Sequence, residues 1–202
     1  GSLKFSEGPS DNNGTTLINR DFGNSGSHTA FTFSCWYKIG KRTTRDNHYL
    51  FSTEYEVDGN TRGLAFFWNK TTGKLQGYDY GASPNWTPTS STRVCRDIGW
   101  YHFVLAIDTT AGSGDRIKLY INGERDTGMG EMPQNTILTI SKKDFEHYVG
   151  SHRYQTNQIR YADGYMSQVY YVDGQQLDES YFGFTDPLTN TWRPKKFNQF
   201  TD

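Results

Sequence analysis

Short segments along the chain alternate apolar and small polar residues, and each is followed by residues typical of turns. The segment Phe31–Lys38 reads Phe-Thr-Phe-Ser-Cys-Trp-Tyr-Lys, which has the two-residue period of a strand with one buried face. Two further apolar segments, Gly63–Trp68 and Leu75–Tyr80, are separated by the polar stretch 69–74. Helical periodicity is scarce. The pattern therefore predicts strands joined by turns.

The second half of the chain continues this pattern. Tyr101–Ile107 predicts a largely buried strand, and Arg116–Ile121 alternates basic with apolar residues. Asn122-Gly123 then indicates a two-residue hairpin, because both residues tolerate positive φ. Another long strand is expected over Tyr161–Val172, and Asp178 is a suitable N-cap for a short helical turn.

Length and composition fit one β-sandwich. The chain has 202 residues with 14 Tyr, 13 Phe and 5 Trp, and each large aromatic side chain can bury roughly 150–250 Å². Its 21 glycines suit many tight turns. We therefore predict a single all-β domain over residues 1–202, built as a sandwich or a barrel of short strands. We expect that this domain was excised from a longer polypeptide.

The distribution of charge argues against some classes of partner, and the cysteine count argues against a disulfide framework. The 21 basic and 22 acidic residues are spread along the chain without a basic block, which argues against nucleic acid. Apolar stretches fall short of the roughly 18–20 residues that span a bilayer, so membrane insertion is not expected. Two cysteines, Cys35 and Cys95, do not make a disulfide framework. The sequence favours two small buried thiols and leaves a single bridge between them open.

Several of these segments resemble a known family. Trp100-Tyr101-His102, followed by the strand that ends at Asn122-Gly123, resembles a signature of laminin G-like and pentraxin-like jelly rolls. The early segment 31–36 and the later segment 163–169 resemble the first and closing strands of the same family. The resemblance implies an all-β, two-sheet antiparallel jelly-roll sandwich of the concanavalin A type.

A narrower resemblance concerns the origin of the chain. Its motifs occur in the order Arg96-Asp97, Trp100-Tyr101-His102, Asp108-Thr109-Thr110, Asn122-Gly123, Tyr148-Val149-Gly150, 172–178, Phe182-Gly183 and Trp192-Arg193-Pro194-Lys195. This order is similar to that of a concanavalin A-like domain found in structural proteins of tailed phages. Gln168 and Cys95 depart from it, standing where an acidic and an aromatic residue are usual. The resemblance implies a tail fibre or similar appendage, made in the host cytoplasm and exposed on the virion surface.

An enzymatic function is not predicted. Jelly-roll glucan hydrolases need carboxylates on both sides of the scissile bond, but the run Glu54-Tyr55-Glu56-Val57-Asp58 has the wrong order and is interpreted as a solvated strand edge. His102 lies in a predicted core strand, which favours a hydrogen-bonded structural histidine. A Ser/His/Asp triad assembled from distant loops is the alternative left open.

Sugar recognition by such folds uses aromatic faces framed by hydrogen-bonding side chains. Two segments, 78–86 and 151–158, supply that mixture. We expect residues 81–88 to project from the sheets as a loop, because their two prolines cannot donate to a ladder. The candidate carbohydrate-binding residues are Tyr78, Tyr80, Asn85, Trp86, His152, Arg153 and Tyr154. The alternatives are that Trp86 folds back onto the edge of the sandwich and that 151–158 is an ordinary solvated loop.

No cofactor motif is present. Calcium is the alternative, with Asp108, Asp115 and Asp163 as oxygen donors. The leading hypothesis is a non-catalytic carbohydrate- or surface-binding module of a phage virion, whose partner is a host-surface glycan or a neighbouring virion protein. A structural spacer without a ligand is the second hypothesis, and a glycoside hydrolase is the third. We expect the full-length protein to form homo-oligomers.

Overall fold

Short antiparallel strands make up most of the protein. The computed structural model describes residues 1–6, 18–21, 23–40, 47–57, 60–97, 99–155 and 158–198, without the side chains of 55–57, 60–61, 154–155 and 158–159. Its strands are β1 Leu3–Phe5, β2 Ile18–Asp21, β3 Ala30–Ile39, β4 Asn47–Val57, β5 Asn60–Arg62, β6 Leu64–Asn69, β7 Lys74–Asp79, β8 Trp86–Ser90, β9 Trp100–Asp108, β10 Ile117–Ile121, β11 Glu124–Asp126, β12 Glu146–Val149, β13 Ser151–Gln155, β14 Gln158–Tyr161, β15 Gly164–Asp173, β16 Gly183–Asp186 and β17 Thr191–Pro194. One short 3-10 helix spans Glu179–Tyr181.

Two large sheets form the sandwich. The six-stranded sheet has the order β1-β15-β3-β9-β10-β11, and the seven-stranded sheet has the order β2-β12-β4-β6-β7-β8 with β5 added on β4. Neighbouring strands in both sheets run antiparallel. The predicted all-β, two-sheet antiparallel sandwich is therefore confirmed.

Aromatic side chains fill the space between the sheets. Phe33 of the six-stranded sheet stacks on Phe51 of the seven-stranded sheet, with ring centroids 5.0 Å apart. Phe31 also packs against Phe51, in a tilted arrangement with ring centroids 6.2 Å apart. Offset aromatic pairs of this kind add to the area that each ring buries. The core thus depends on aromatic residues, as the composition predicts.

The outer face of the six-stranded sheet is also covered in part. Residues 175–198 run back across it, and their apolar side chains meet apolar residues of the sheet. This second cluster contains Val104, Tyr120, Val172, Leu177 and Phe182, with Tyr170 and Phe197 at its edge. The hydroxyl of Thr32 fixes the start of the segment, since it donates to Gln175 O and accepts from the backbone N–H of Leu177.

Several predicted local features are confirmed. Asn122 and Gly123 have φ of 52° and 80° and connect β10 to β11. Asp178 caps the 3-10 helix, accepting a hydrogen bond from Ser180 N. Cys35 and Cys95 are free, buried thiols, so the bridge left open by the sequence does not form.

The expectation that residues 81–88 project as a loop around Trp86 is wrong. Trp86 begins β8, pairs with Asp79 of β7, and is 1% exposed within the main core. A Cβ atom at Gly77 would lie 2.7 Å from Cη2 of Trp86, so the absence of a side chain at Gly77 makes room for the indole. The alternative that Trp86 folds back onto the edge of the sandwich is confirmed, since β8 is the edge strand of its sheet.

Trp86→Ala should therefore act on stability. We expect a loss of roughly 3–5 kcal/mol in the free energy of unfolding, because a large core ring is replaced by a cavity. Urea unfolding followed by far-UV circular dichroism measures this loss. Tyr80→Ala, at a side chain that is 43% exposed, is the control and should cost less than about 1 kcal/mol. An unfolding midpoint for Trp86→Ala equal to that of the wild type would contradict the burial.

Candidate functional site

An open cleft of about 270 Å³ lies on the outer face of the six-stranded sheet. Three tryptophans dominate its walls. The lining residues are Trp36, Trp100, Ser167, Gln168, Trp192, Arg193 and Pro194. Four of them come from the sheet itself and three from β17, so the cleft forms where the C-terminal segment lies over the sheet.

Strand alternation turns the sheet residues of the cleft outward. In β3, Cys35 and Tyr37 point into the core, so Trp36 between them faces the opposite side. Its cross-strand partners are Ser167 on β15 and His102 on β9. Residues directly opposite each other share a face of the sheet, and the floor of the cleft is therefore set by strand register.

Trp192 is held firmly over this floor. Its Nε1–H donates to Nδ1 of His102 at 2.9 Å. Its indole ring also packs against two glycines that leave no room for a side chain. A Cβ atom would lie 2.4 Å from the ring at Gly123 and 2.3 Å from it at Gly183. The wall of the cleft is thus fixed before any ligand arrives.

His102 has a defined protonation state. Trp192 can only donate, so Nδ1 of His102 must be the accepting nitrogen. The proton is then on Nε2, which lies 2.9 Å from Oγ of Ser34 and donates to it. Burial lowers the pKa of His102 to about 4, so the ring is neutral at physiological pH. The interpretation of His102 as a structural histidine is confirmed.

The cleft combines aromatic faces with polar groups. Trp100 is 39% exposed, and the Arg193 side chain is 52% exposed with Nε 3.6 Å from Oδ2 of Asp186. Gln168 sits in a β-bulge with φ of 48° and is exposed beside the cleft floor. The described lining residues include no carboxylate, thiol or imidazole. Such a lining can stack against a flat apolar surface and hydrogen bond to its edge, which are binding interactions.

Four of the sequence-predicted residues lie instead on the outer face of the seven-stranded sheet. Tyr78 and Tyr80 are neighbours there, with ring centroids 4.6 Å apart. His152 stacks on Tyr49, at 4.4 Å, and NH1 of Arg153 is 3.1 Å from Oε2 of Glu146. The structure therefore brings the two predicted segments to the same sheet.

A hairpin covers much of this second face. β13 and β14 pair with each other and lie across β4, where Oγ of Ser52 donates to Ser151 O at 2.9 Å. His152 is consequently 6% exposed, and burial lowers its pKa to about 3. The alternative that 151–158 is an ordinary solvated loop is wrong for His152, because the hairpin packs it against Tyr49.

The other predicted residues separate from this group. Trp86 belongs to the core and presents no face to a ligand. The amide of Asn85, oriented with its nitrogen toward the loop, donates to the carbonyls of Ala82 and Tyr80 at 2.9 Å. The side chain of Tyr154 lies outside the described residues. Of the predicted aromatic residues, Tyr80 keeps the largest described exposure, at 43%.

Glu54 is not a solvated strand edge. It is 3% exposed, and Oε1 accepts a hydrogen bond from the backbone N–H of Arg153. Burial raises the pKa of Glu54 to about 9, so this carboxyl group is protonated at neutral pH. The hairpin that buries it also separates it from a polysaccharide. The side chains of Glu56 and Asp58 lie outside the described residues.

The structure also tests the open alternative of a Ser/His/Asp triad. Ser141, His147 and Asp173 do lie together, and Oγ of Ser141 is 2.6 Å from Oδ1 of Asp173. However, Nε2 of His147 accepts from the backbone N–H of Ser141, and Nδ1 donates to Phe145 O. The lone pair of a catalytic base is thus used by a backbone amide. The serine is fully buried, so this cluster is structural.

The proposed calcium donors do not converge. Oδ1 of Asp108 accepts from the backbone and side chain of Thr110, and Oδ1 of Asp115 is 3.3 Å from NH1 of Arg125. Asp163 O accepts from the hydroxyl of Tyr37. Across the described ranges, no three His, Cys, Asp or Glu side chains are grouped so that they could hold a metal ion.

Comparisons with known proteins identify the family. Residues 10–180 match the model of the concanavalin A-like lectin/glucanases superfamily, and the chain belongs to that family. None of the curated proteins matches the chain. In the part of the chain that the structure describes, no helix is long and apolar enough to cross a membrane.

Solved structures share the fold at low sequence identity. Domain 4 of the arabinanase AbnA from Geobacillus stearothermophilus, in complex with arabinotriose, has a TM-score of 0.54 and 16% identity, over 86% of this chain and 76% of that one. The CBM40 of a Ruminococcus gnavus IT-sialidase, bound to α2,3-sialyllactose, has a TM-score of 0.52 and 16% identity. The match covers 82% of this chain and 93% of that one. A heptameric SAP-like pentraxin from Limulus polyphemus has a TM-score of 0.49 and 15% identity, and the match covers 84% of this chain and 74% of that one.

Sequence reasoning missed the cleft because it assigned its tryptophans to other roles. Trp100 and Trp192 belong to the family motifs, and Trp36 belongs to the first predicted strand. One available signal was the alternation in that strand: Phe31, Phe33 and Cys35 share one face, so Trp36 must lie on the other.

Replacement of His102 by glutamine tests its buried neutral state. The amide can accept from Trp192 and donate to Ser34, but it does not titrate. The folded-state pKa of His102 lies below its ordinary value, so the wild type should lose stability as pH falls from about 6.5 to about 4. Relative to His102→Gln, that loss should reach on the order of 3 kcal/mol. Unfolding free energies of both proteins across this pH range measure it, and parallel curves would refute it.

Proposed function

We propose that the protein is a non-catalytic glycan-binding module displayed on the surface of a tailed-phage virion, and that the indole-lined cleft is its binding site. One observation carries this proposal: Trp36, Trp100 and Trp192 meet in an open cleft of about 270 Å³ that also presents an amide, a hydroxyl and a guanidinium group.

The chemistry of the cleft matches that of a sugar ring. A pyranose has a C–H face that stacks on an aromatic ring and an edge of hydroxyls that need hydrogen-bond partners. The indoles supply the first interaction, and Gln168, Ser167 and Arg193 supply the second. Aromatic anchors in a central pocket commonly dominate a binding energy. Because Trp192 is already fixed by His102 and two glycines, little ordering cost is left for binding.

The relatives support a sugar ligand for the fold. Two similar domains are described in complex with arabinotriose and with α2,3-sialyllactose, each at 16% identity. That likeness concerns the fold, so the assignment to this cleft rests on its own residues. The cleft is near the lower limit of ordinary ligand pockets, which are roughly 300–1,000 Å³. A short stretch of a glycan therefore fits better than a large compact ligand.

The location on a virion rests on the order of the sequence motifs, which is similar to that in structural proteins of tailed phages. Weak binding by one cleft suits such a location, because many copies on one particle multiply the overall affinity. A host-surface glycan is the partner that the cleft favours over a neighbouring virion protein. Antibodies raised against the chain should label intact virions in electron microscopy.

A glycan array tests the binding function. We expect the chain, tetramerised on streptavidin, to bind a defined subset of microbial glycans. Trp100→Ala removes a partly exposed indole and should weaken binding at least tenfold, as for a central aromatic anchor. Tyr80→Ala is the matched control, since it removes an aromatic residue of similar exposure from the opposite sheet.

The two variants also separate the cleft from the predicted tyrosine site. Binding lost in Tyr80→Ala and kept in Trp100→Ala would move the site to the seven-stranded sheet. If the wild type bound no glycan and instead self-associated in sedimentation velocity experiments, the spacer hypothesis would replace the proposal.

Absence of catalysis is tested on polysaccharides. Glu54 is buried and protonated, and the described residues that line the cleft include no carboxylate or imidazole. Incubation with laminarin, agar and the glycans bound on the array should therefore release no new reducing ends. A time-dependent increase in reducing sugar that is absent in Glu54→Gln would show that Glu54 is catalytic.

A further inference from the structure

A row of alternating lysines and aromatic residues crosses the six-stranded sheet beside the cleft. Strand register places Lys4 opposite Tyr165, Tyr165 opposite Lys38, and Lys38 opposite Trp100. Directly opposite residues share a face, so these four side chains form one continuous row. We call it the lysine–aromatic row.

The row and the cleft form one surface. Lys38 is two residues from Trp36 in β3, and Trp100 is two residues from His102 in β9, so the row lies on the cleft side of the sheet. Trp100 belongs to both the row and the cleft. Neighbouring strands are about 4.8 Å apart, so the three steps from Lys4 to Trp100 extend the surface by about 14 Å.

This surface is accessible and locally cationic. Tyr165 and Trp100 are 38% and 39% exposed, Lys4 is exposed, and Lys38 is half-buried. The whole chain has a formal net charge of −1, so the positive charge here comes from local placement. Arg193 adds a third cation at the cleft, paired with Asp186. Lysine stems can lie along aromatic rings while their charged ends remain in water.

We propose that the lysine–aromatic row extends the cleft into a groove that selects acidic polysaccharides, whose sugar rings stack on the aromatic residues while their carboxylate or sulfate groups pair with the lysines. This inference rests on the proposed glycan-binding function and adds the charge class of the ligand. A single-stranded nucleic acid fits less well. Its affinity comes from neutralising many phosphates, whereas the described residues of this surface supply two lysines and Arg193, and Arg193 is already paired with Asp186.

Isothermal titration and affinity electrophoresis with matched polymers test the ligand class. Dextran sulfate and dextran differ only in sulfate, alginate carries carboxylate, and single-stranded DNA is the polyanion control. We expect alginate or dextran sulfate to bind more tightly than dextran, and more weakly at 500 mM than at 50 mM salt. The stronger of the two then identifies the anionic group.

Lys38→Gln should lower the affinity for the preferred acidic polymer by up to about fivefold relative to the affinity for a neutral glycan, because it removes one partly exposed ion pair. Lys74→Gln is the matched control, because Lys74 is also half-buried but lies on the opposite sheet. Unchanged thermal unfolding of both variants establishes that they fold.

The outcomes separate the two proposals. If Trp100→Ala abolishes binding of a neutral glycan while acidic polymers bind no better than dextran, the cleft function stands and acidic selectivity is refuted. If Lys38→Gln and Lys74→Gln lower binding of the acidic polymer equally, or single-stranded DNA binds as tightly, the row is not a selective groove. If Trp100→Ala alters no binding at all, the glycan function of the cleft fails as well.

Discussion

The hydrogen bond from Trp192 to His102 joins two parts of the protein that are 90 residues apart in sequence. His102 is itself fixed through Nε2 to Ser34, so the connection reaches from β17 through β9 to β3. It holds the C-terminal hairpin over the outer face of the six-stranded sheet. The wall of the cleft and the defined tautomer of His102 depend on this attachment, while the second apolar cluster and Thr32 anchor the rest of the segment.

The outer faces of the two sheets are covered to different extents by other segments of the chain. On the seven-stranded sheet, the β13–β14 hairpin packs closely, so His152 and Glu54 are buried in neutral forms. On the six-stranded sheet, residues 175–198 cover one part and leave another part open. The difference gives the six-stranded sheet an accessible aromatic surface, while Tyr49 on the opposite sheet packs against His152 of the hairpin.

Trp86 and Trp36 show how well local sequence predicts whether a tryptophan is buried or exposed. Trp86, in a polar stretch with two prolines, resembles an exposed binding residue, yet it fills the space left by Gly77. Trp36, in a strongly predicted strand, resembles a core residue, yet alternation turns it outward. In both cases the identity of the residue is a weaker guide than its parity in the strand and the size of its cross-strand neighbours.

Short-range periodicity, turn chemistry and motif order predict β3, β6, β7, β9, β10 and β15, the Asn122-Gly123 hairpin, the capped helical turn and the family. They did not predict β8 or the β13–β14 hairpin, whose polar segments resemble loops until their partner strands are known. Only the tertiary contacts show that Trp86 is buried, that three tryptophans meet in one cleft and which polar residues are neighbours. The cleft requires Trp36, Trp100 and Trp192 to converge from three strands, and the lysine–aromatic row requires the register of four. Register depends on contacts between segments far apart in the chain, which no local pattern records.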